Sequence, residues 1–243
     1  GDPKSAAFTA ELRASPLMDQ ITLELAAELV RSQGLGRRRQ PDLLAISLSG
    51  TDHIGHRYGS GGAEMCAQQL SMDAALGAFF EKLDRLGVPY VVALSADHGG
   101  IDAAERIGPP ARRVDTAALV NSLNGELRAR FGFDRDVILG EDANQLMLRL
   151  RPEEDARRGE VTAAAVAWLK AQADVADVFT AAEVAAAAPP RGKPPGDLTV
   201  IERFAQSYDA ERSGDILVGF VPSATLGMPT RPGHNVAGHG SPW

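Results

Sequence analysis

Five histidines are distributed unevenly along the 243-residue chain: His53 and His56 in one run, His98 in a second, His234 and His239 near the C-terminus. Aspartates accompany two of these runs, with Asp52 four residues before His56 and Asp97 immediately before His98. Carboxylate oxygen and imidazole nitrogen, without thiolate, form a donor set suited to zinc or manganese in a catalytic centre. Glycines at 50, 55, 59, 99, 100, 238 and 240 surround these donors, and glycine lets the backbone approach a bound ion closely. Each run taken alone also reads as a turn: an Asx-type turn for Asp52 with His56, a strand-end turn for Asp97 and His98. The three runs taken together point to a metal.

Elements must bring these runs together. Residues 43–48 are a short apolar run bounded by Pro41, Asp42 and Gly50, the pattern of a strand buried on both faces, and it empties into the Asp52–His56 run. A helical pattern follows over 64–86, with Leu76, Phe79, Phe80 and Leu83 on its inner face and Gly87 closing it. Residues 88–96 read as a second buried strand, emptying into Asp97 and His98. Strand, helix, strand with two apolar strands is a parallel βαβ unit, which puts both donor runs at one carboxyl edge, where α/β sheets bind ligands. Upstream, Ser15 and Pro16 read as an N-cap followed by a first-turn proline, with Leu17, Ile21, Leu25 and Leu29 as the apolar face and Gly34 and Gly36 as the stop. Arg37, Arg38 and Arg39 read as a solvated loop.

Beyond residue 100 the pattern predicts helices over 116–130 and 157–171 and strands over 144–150 and 175–179. Together they make a small α/β lobe, about 116–200, inserted in the main sheet. Pro189, Pro190, Pro194 and Pro195, interleaved with Gly192 and Gly196, predict an extended surface loop. Residues 215–221 predict a returning strand, and a glycine-rich loop over 227–240 carries His234 and His239.

Lys and Arg number 25 against 32 Asp and Glu, a net charge of −7, the wrong sign for holding a nucleic-acid polymer by bulk electrostatics. Apolar residues at 44% and charged residues at 23% are ordinary for a folded globular chain. No run approaches the ~20 consecutive apolar residues of a membrane segment, and residues 1–8 lack the layout of a secretory signal. Cys66 is the only cysteine, which excludes an internal disulfide and a thiolate metal cluster.

Three stretches resemble a known family. Residues 44–59, with the core Ser-Gly-Thr-Asp-His-Ile-Gly-His, residues 94–100, reading Leu-Ser-Ala-Asp-His-Gly-Gly, and residues 238–242, reading Gly-His-Gly-Ser-Pro, are similar in order and spacing to the metal motifs of the alkaline phosphatase superfamily. The nearest groups are its PafA-like phosphatases and the type I phosphodiesterase/nucleotide pyrophosphatases. The resemblance implies a three-layer α/β/α sandwich with a mainly parallel sheet, of which residues 1–243 are the C-terminal part of one catalytic domain. It implies one zinc held by Asp52, His56 and His239 and a second held in part by Asp97 and His98, two ions in the intact enzyme and one or none in this chain. His53 and His234 fall outside the matched positions. The activity implied is hydrolysis of small phosphate monoesters through a phosphoenzyme, with a phosphodiesterase, a mononuclear hydrolase or a non-catalytic metal-binding module as alternatives, in a periplasmic or secreted protein. In the family, the nucleophile and one further aspartate ligand come from elements preceding those matched here. Ser49, Thr51, Ser95 and Ser241 are poor substitutes, so the chain alone is expected to be inactive.

Overall fold

The computed structural model describes residues 2–140, 144–187, 192–227 and 235–239. His234, Ser241, Pro242, Pro189 and Pro190 lie outside the described residues. The described chain is of the α/β class and divides into two compact units, residues 2–107 with 235–239, and residues 108–227.

The first unit contains α1 (Ala6–Arg13), α2 (Leu17–Gln33), α3 (Gly50–Tyr58), α4 (Ala63–Leu86) and α5 (Ala104–Ile107). Pro16 occupies the cap position of α2, Asp19 sits in its first turn, and Gly34 ends it with a left-handed φ of 61° that directs its N–H to the Val30 carbonyl. Ser15 does not cap α2; its hydroxyl donates back to Leu12 O. The expected apolar face is also displaced. Leu17, Ile21, Leu25 and Leu29 are between 42% and 68% exposed, while Leu23, Ala26, Ala27 and Val30 are buried. Two stripes of α2 are apolar, and the one bearing alanines lets the neighbouring helix approach closely. Phe79 of α4 packs there with Leu23, Ala26 and Ala27, joined by Leu76, Phe80 and Leu83, the face read from the sequence.

The two strands expected in this unit are not formed among the described residues. Residues 43–48 keep the period-two burial of a strand, with Leu44, Ile46 and Leu48 against the α2–α4 cluster and Leu43 92% exposed. They are thus covered on one face, not two. Val91 and Leu94 are 97% and 84% exposed. An apolar run favours an extended chain, but a ladder needs a partner strand, and neither run has one among the described residues. The donor runs therefore do not project from the edge of a paired sheet.

The second unit contains β1 (Arg112–Val114), α6 (Thr116–Phe131), β2 (Ile138–Leu139), β3 (Gln145–Leu148), a 3₁₀ turn (Pro152–Arg157), α7 (Arg158–Lys170), β4 (Val175–Thr180), α8 (Ala181–Ala186), a second 3₁₀ turn (Pro195–Asp197), α9 (Val200–Ser207), β5 (Ile216–Phe220) and β6 (Ala224–Leu226). β1 pairs in parallel with β6, and β2, β3, β5 and β4 form, in that order, an antiparallel sheet. Leu123 and Leu127 of α6, Val161, Ala165 and Leu169 of α7, and every residue of β5 are buried. Asn124 is a buried polar fastener: its Oδ1 accepts from Val137 N and Ile138 N, and its Nδ2 donates to Ile138 O, each at 2.9 Å. Helices α8 and α9 start with capping boxes, Thr180 with Glu183 and Thr199 with Glu202. Both helices were absent from the sequence expectation.

Candidate metal centre

Asp52 and His56 were expected in a loop and lie instead in α3, four residues apart and so on one helical face. The His56 Nε2 lies 3.4 Å from Asp52 Oδ1. His239 approaches the same oxygen, Nε2 at 3.6 Å, and His98 does so at 3.7 Å. The His98 and His239 rings stack with centroids 3.5 Å apart, and His56 and His239 meet at 4.8 Å. Donor atoms of Asp52, His56 and His239 all lie within 4.8 Å of one another.

Backbone contacts produce this convergence. Val236 N and Ala237 N donate to His56 O at 2.7 and 3.3 Å, and the His56 Nδ1 lies 3.0 Å from Ala237 O. Ile101 N donates to Gly238 O at 3.0 Å in an antiparallel bridge. The segment bearing His239 is thus held between the end of α3 and the segment just past His98. At the same end of α3, Arg106 donates to Tyr58 O at 2.8 Å and to Asp102 Oδ1 at 2.5 Å. Burial pushes the Asp102 carboxyl up, but the N–H groups of Ala103 and Gly61 and the Arg106 guanidinium outweigh it and hold the group below the usual carboxylate range.

Asp97 stands apart. Its side chain is 88% exposed; Oδ1 accepts from His98 N at 3.1 Å, and Oδ2 lies 3.6 Å from His98 Nε2. The structure therefore gathers Asp52, His56 and His239 closely, sets His98 beside them, and leaves Asp97 at the margin with His98. His53 belongs to the same helix but is one residue on from Asp52, about 100° around its axis.

The donor chemistry fits a cation. His56 and His98 each direct Nδ1 at a carbonyl, Ala237 O at 3.0 Å and Gly99 O at 2.8 Å. A carbonyl partner fixes the tautomer with the proton on Nδ1 and the lone pair on Nε2, the usual arrangement of a metal-ligating histidine. Zinc bonds to nitrogen and oxygen of about 2.0–2.1 Å imply tetrahedral ligand separations of about 3.4 Å, close to the observed 3.4 and 3.6 Å from Asp52 to His56 and His239. Burial, and then the neighbouring His98 and His56 rings, push the His239 imidazole below its ordinary value against the pull of Asp52 and Asp97, which favours the neutral, ligating form.

This fold and donor arrangement define a class. The type I phosphodiesterase/nucleotide pyrophosphatase family matches residues 4–234, and the chain belongs to it, within the alkaline phosphatase superfamily. Among individual relatives, the chain is 38% identical over 236 residues to alkaline phosphatase PhoK of Sphingomonas sp., covering 95% of this chain and 42% of the relative. It is 36% identical over 239 residues to alkaline phosphatase PhoD of Zymomonas mobilis, 95% of this chain and 41% of the relative. The crystal structure of alkaline phosphatase PafA superposes with a TM-score of 0.80 at 23% identity, over 97% of this chain and 44% of that one, a likeness of fold. The chain spans about two fifths of the length of these relatives.

The residues bracing the donors, Asp19, Gln68, Asp102 and Arg106, escaped the sequence reading. One signal was present: Asp19 continues the stripe Leu23, Ala26, Val30 of α2, where an aspartate needs a buried partner.

Proposed function

We propose that the chain supplies the histidine-rich part of the centre of a zinc-dependent phosphate monoester hydrolase of the alkaline phosphatase type. The observation that carries this reading is the convergence of Asp52, His56 and His239 within 4.8 Å in a member of this family. In this reading Asp52, His56 and His239 hold one zinc, and His98 with Asp97 contributes to a second. Zinc bound there would offset charge on phosphoryl oxygens and lower the pKa of a coordinated water. The protein's own part is positional. Ala237 O and Gly99 O hold the protons on the Nδ1 atoms of His56 and His98, which leaves Nε2 free to ligate, and Asp52 supplies the negative charge that the neutral imidazoles lack.

Among the described residues, the hydroxyls nearest the donors in sequence are engaged elsewhere. Thr51 Oγ1 accepts from Gln68 and faces Met72 Sδ, Ser49 Oγ pairs with Ser47 Oγ, and Ser95 Oγ donates to Ala96 O. We assign the nucleophile to none of them and expect no multiple turnover from these 243 residues alone. The relatives PhoK, PhoD and PafA are named alkaline phosphatases, which supports small monoesters as substrates over the diesters in the family's name. The same reading carries a periplasmic or secreted location and membership of residues 1–243, with the lobe at about 116–200, in one catalytic domain. No helix among the described residues is long and apolar enough to cross a membrane.

Zinc titration tests the reading. The purified chain is expected to bind zinc, and His56→Ala to weaken that binding about 100-fold or more. A wild-type chain that binds no zinc refutes the proposal. In the full-length protein, p-nitrophenyl phosphate should be cleaved ahead of bis-p-nitrophenyl phosphate; the reverse order would establish a phosphodiesterase.

A further inference from the structure

The helix that carries Asp52 and His56 begins without a cap of its own. Ser49 is the residue before α3, yet it has a helical ψ of −4° and its side chain makes no capping hydrogen bond. The cap comes from another helix. Asp19 of α2 is 1% exposed; its Oδ1 accepts from Gly50 N at 2.9 Å and its Oδ2 accepts from Gln68 Nε2 at 2.6 Å. Gln68, in α4 and fully buried, donates also to Thr51 Oγ1 at 3.1 Å. A buried carboxylate is costly unless its oxygens are hydrogen-bonded, and here one oxygen is spent on the first N–H of α3 and the other on the amide that fixes Thr51. The first turn of α3 is therefore gripped from two sides, immediately before Asp52.

Gly50 completes the device. A Cβ at this position would stand 2.7 Å from Asp19 Oδ2 and 2.9 Å from its Cγ, so the carboxylate reaches the helix only because residue 50 has no side chain. Helix propensity favours alanine over glycine, so the glycine is explained by the approach of Asp19.

We propose that Asp19 is a positioning residue for the metal centre, acting through Gly50 N–H and, with Gln68, fixing where the first turn of α3 presents the Asp52 carboxylate. This inference rests on the metal-binding reading above and adds a residue to it from outside the donor motifs. Asp19 touches no donor atom of the cluster; its effect passes through the helix backbone, in the way that outer partners of metal ligands tune affinity.

The experiment uses the 243-residue protein and three variants, Asp19→Ala, Asp19→Asn and Gly50→Ala, with amide hydrogen exchange measured without metal and zinc and cobalt(II) binding measured in parallel. Asp19→Ala should weaken zinc binding about tenfold or more, alter the visible spectrum of the cobalt form, and speed exchange at the first-turn amides of α3 while α6 keeps its protection. Asp19→Asn keeps an oxygen for Gly50 N–H, and its new amide can meet the Gln68 Oε1, which lacks a partner among the described residues; it should restore zinc affinity to within about threefold. Gly50→Ala separates positioning from stability by sign. Helix propensity alone predicts a firmer α3, whereas the proposal predicts faster exchange and weaker zinc. Should Asp19→Ala fail to fold, Gly50→Ala decides. A folded Asp19→Ala or Gly50→Ala protein with wild-type α3 exchange, wild-type zinc affinity and an unchanged cobalt spectrum overturns the proposal. A wild-type chain that binds no zinc refutes the metal reading instead, and the metal-free exchange data then judge the grip on α3 by itself.

Discussion

The two units of this protein are held together by different means. In residues 108–227 a continuous apolar core runs from Val114 to Ala224 and includes Leu123, Leu127, Ile138, Leu146, Leu169 and Val218, all nearly or fully buried. Among the described residues of the unit that carries the candidate metal centre, the corresponding cluster is Leu23, Ala26, Ala27 and Phe79, with partly buried neighbours. Directional polar contacts do much of the remaining work there: Asp19 with Gly50 and Gln68, Arg106 with Tyr58 and Asp102, His56 with Ala237. Apolar packing is tolerant of small displacements, whereas hydrogen bonds weaken steeply with angle and distance. A centre that must hold donors at fixed separations is better served by the second kind of restraint.

The contrast is most exposed to refutation in the larger core. Leu127→Ala removes a side chain with no exposure and should destabilise residues 108–227 by about 3 kcal/mol, in the range of buried leucine truncations, read by amide exchange of α6 and β5. A loss under about 1 kcal/mol would mean this core is loosely packed. In the metal-bearing unit the sharper test is a pair of leucines two residues apart. Leu23→Ala should cost about 2 kcal/mol, since so small a cluster can partly collapse around the gap. Leu25→Ala, 68% exposed, should change stability by no more than about 0.5 kcal/mol. Equal losses for the two would restore the face 17, 21, 25, 29 as the packed one.

That pair also marks what the sequence disclosed and what it withheld. Periodicity located α2, α4, α6, α7, β4 and β5 closely, because each carries an apolar repeat, and the first three also end at a left-handed glycine, Gly34, Gly87 and Gly132. It misjudged which stripe of α2 is buried, because two stripes are apolar and the choice is made by Phe79 on another helix. It took residues 43–48 and 88–96 for paired strands, since composition reports a tendency to extend and not the presence of a neighbour. The donor motifs were legible as local runs around Asp52, His56, His98 and His239. The helical setting of Asp52 and His56 was not, as the glycines at 50, 55 and 59 argue against a helix. Asp19 and Gln68 were hidden for a simpler reason: their significance lies in what they touch, 31 and 17 residues away along the chain.

The smallest expected effect concerns charge in the sheet-bearing unit. Hydrogen bonds from the Arg135 guanidinium, and then from Arg151 N, hold Glu154 down at about 2, and Lys193 followed by Thr199 holds Glu202 down at about 2, against an ordinary 4.5. A carboxylate whose folded pKa is depressed stabilises the fold above its unfolded pKa, and this contribution is lost as pH falls through the folded one. The window therefore runs from about pH 4.5 down to about 2. Because both pairs are only partly buried, solvent still screens them and the change in stability should be slight. The carboxyl resonances themselves are the cleaner measure: Glu154 and Glu202 should titrate well below pH 3, and Arg135→Gln should return Glu154 toward 4.5 while leaving Glu202 where it was. Parallel movement of both, or a wild-type midpoint near 4.5, would show that these half-buried contacts exert no hold in solution.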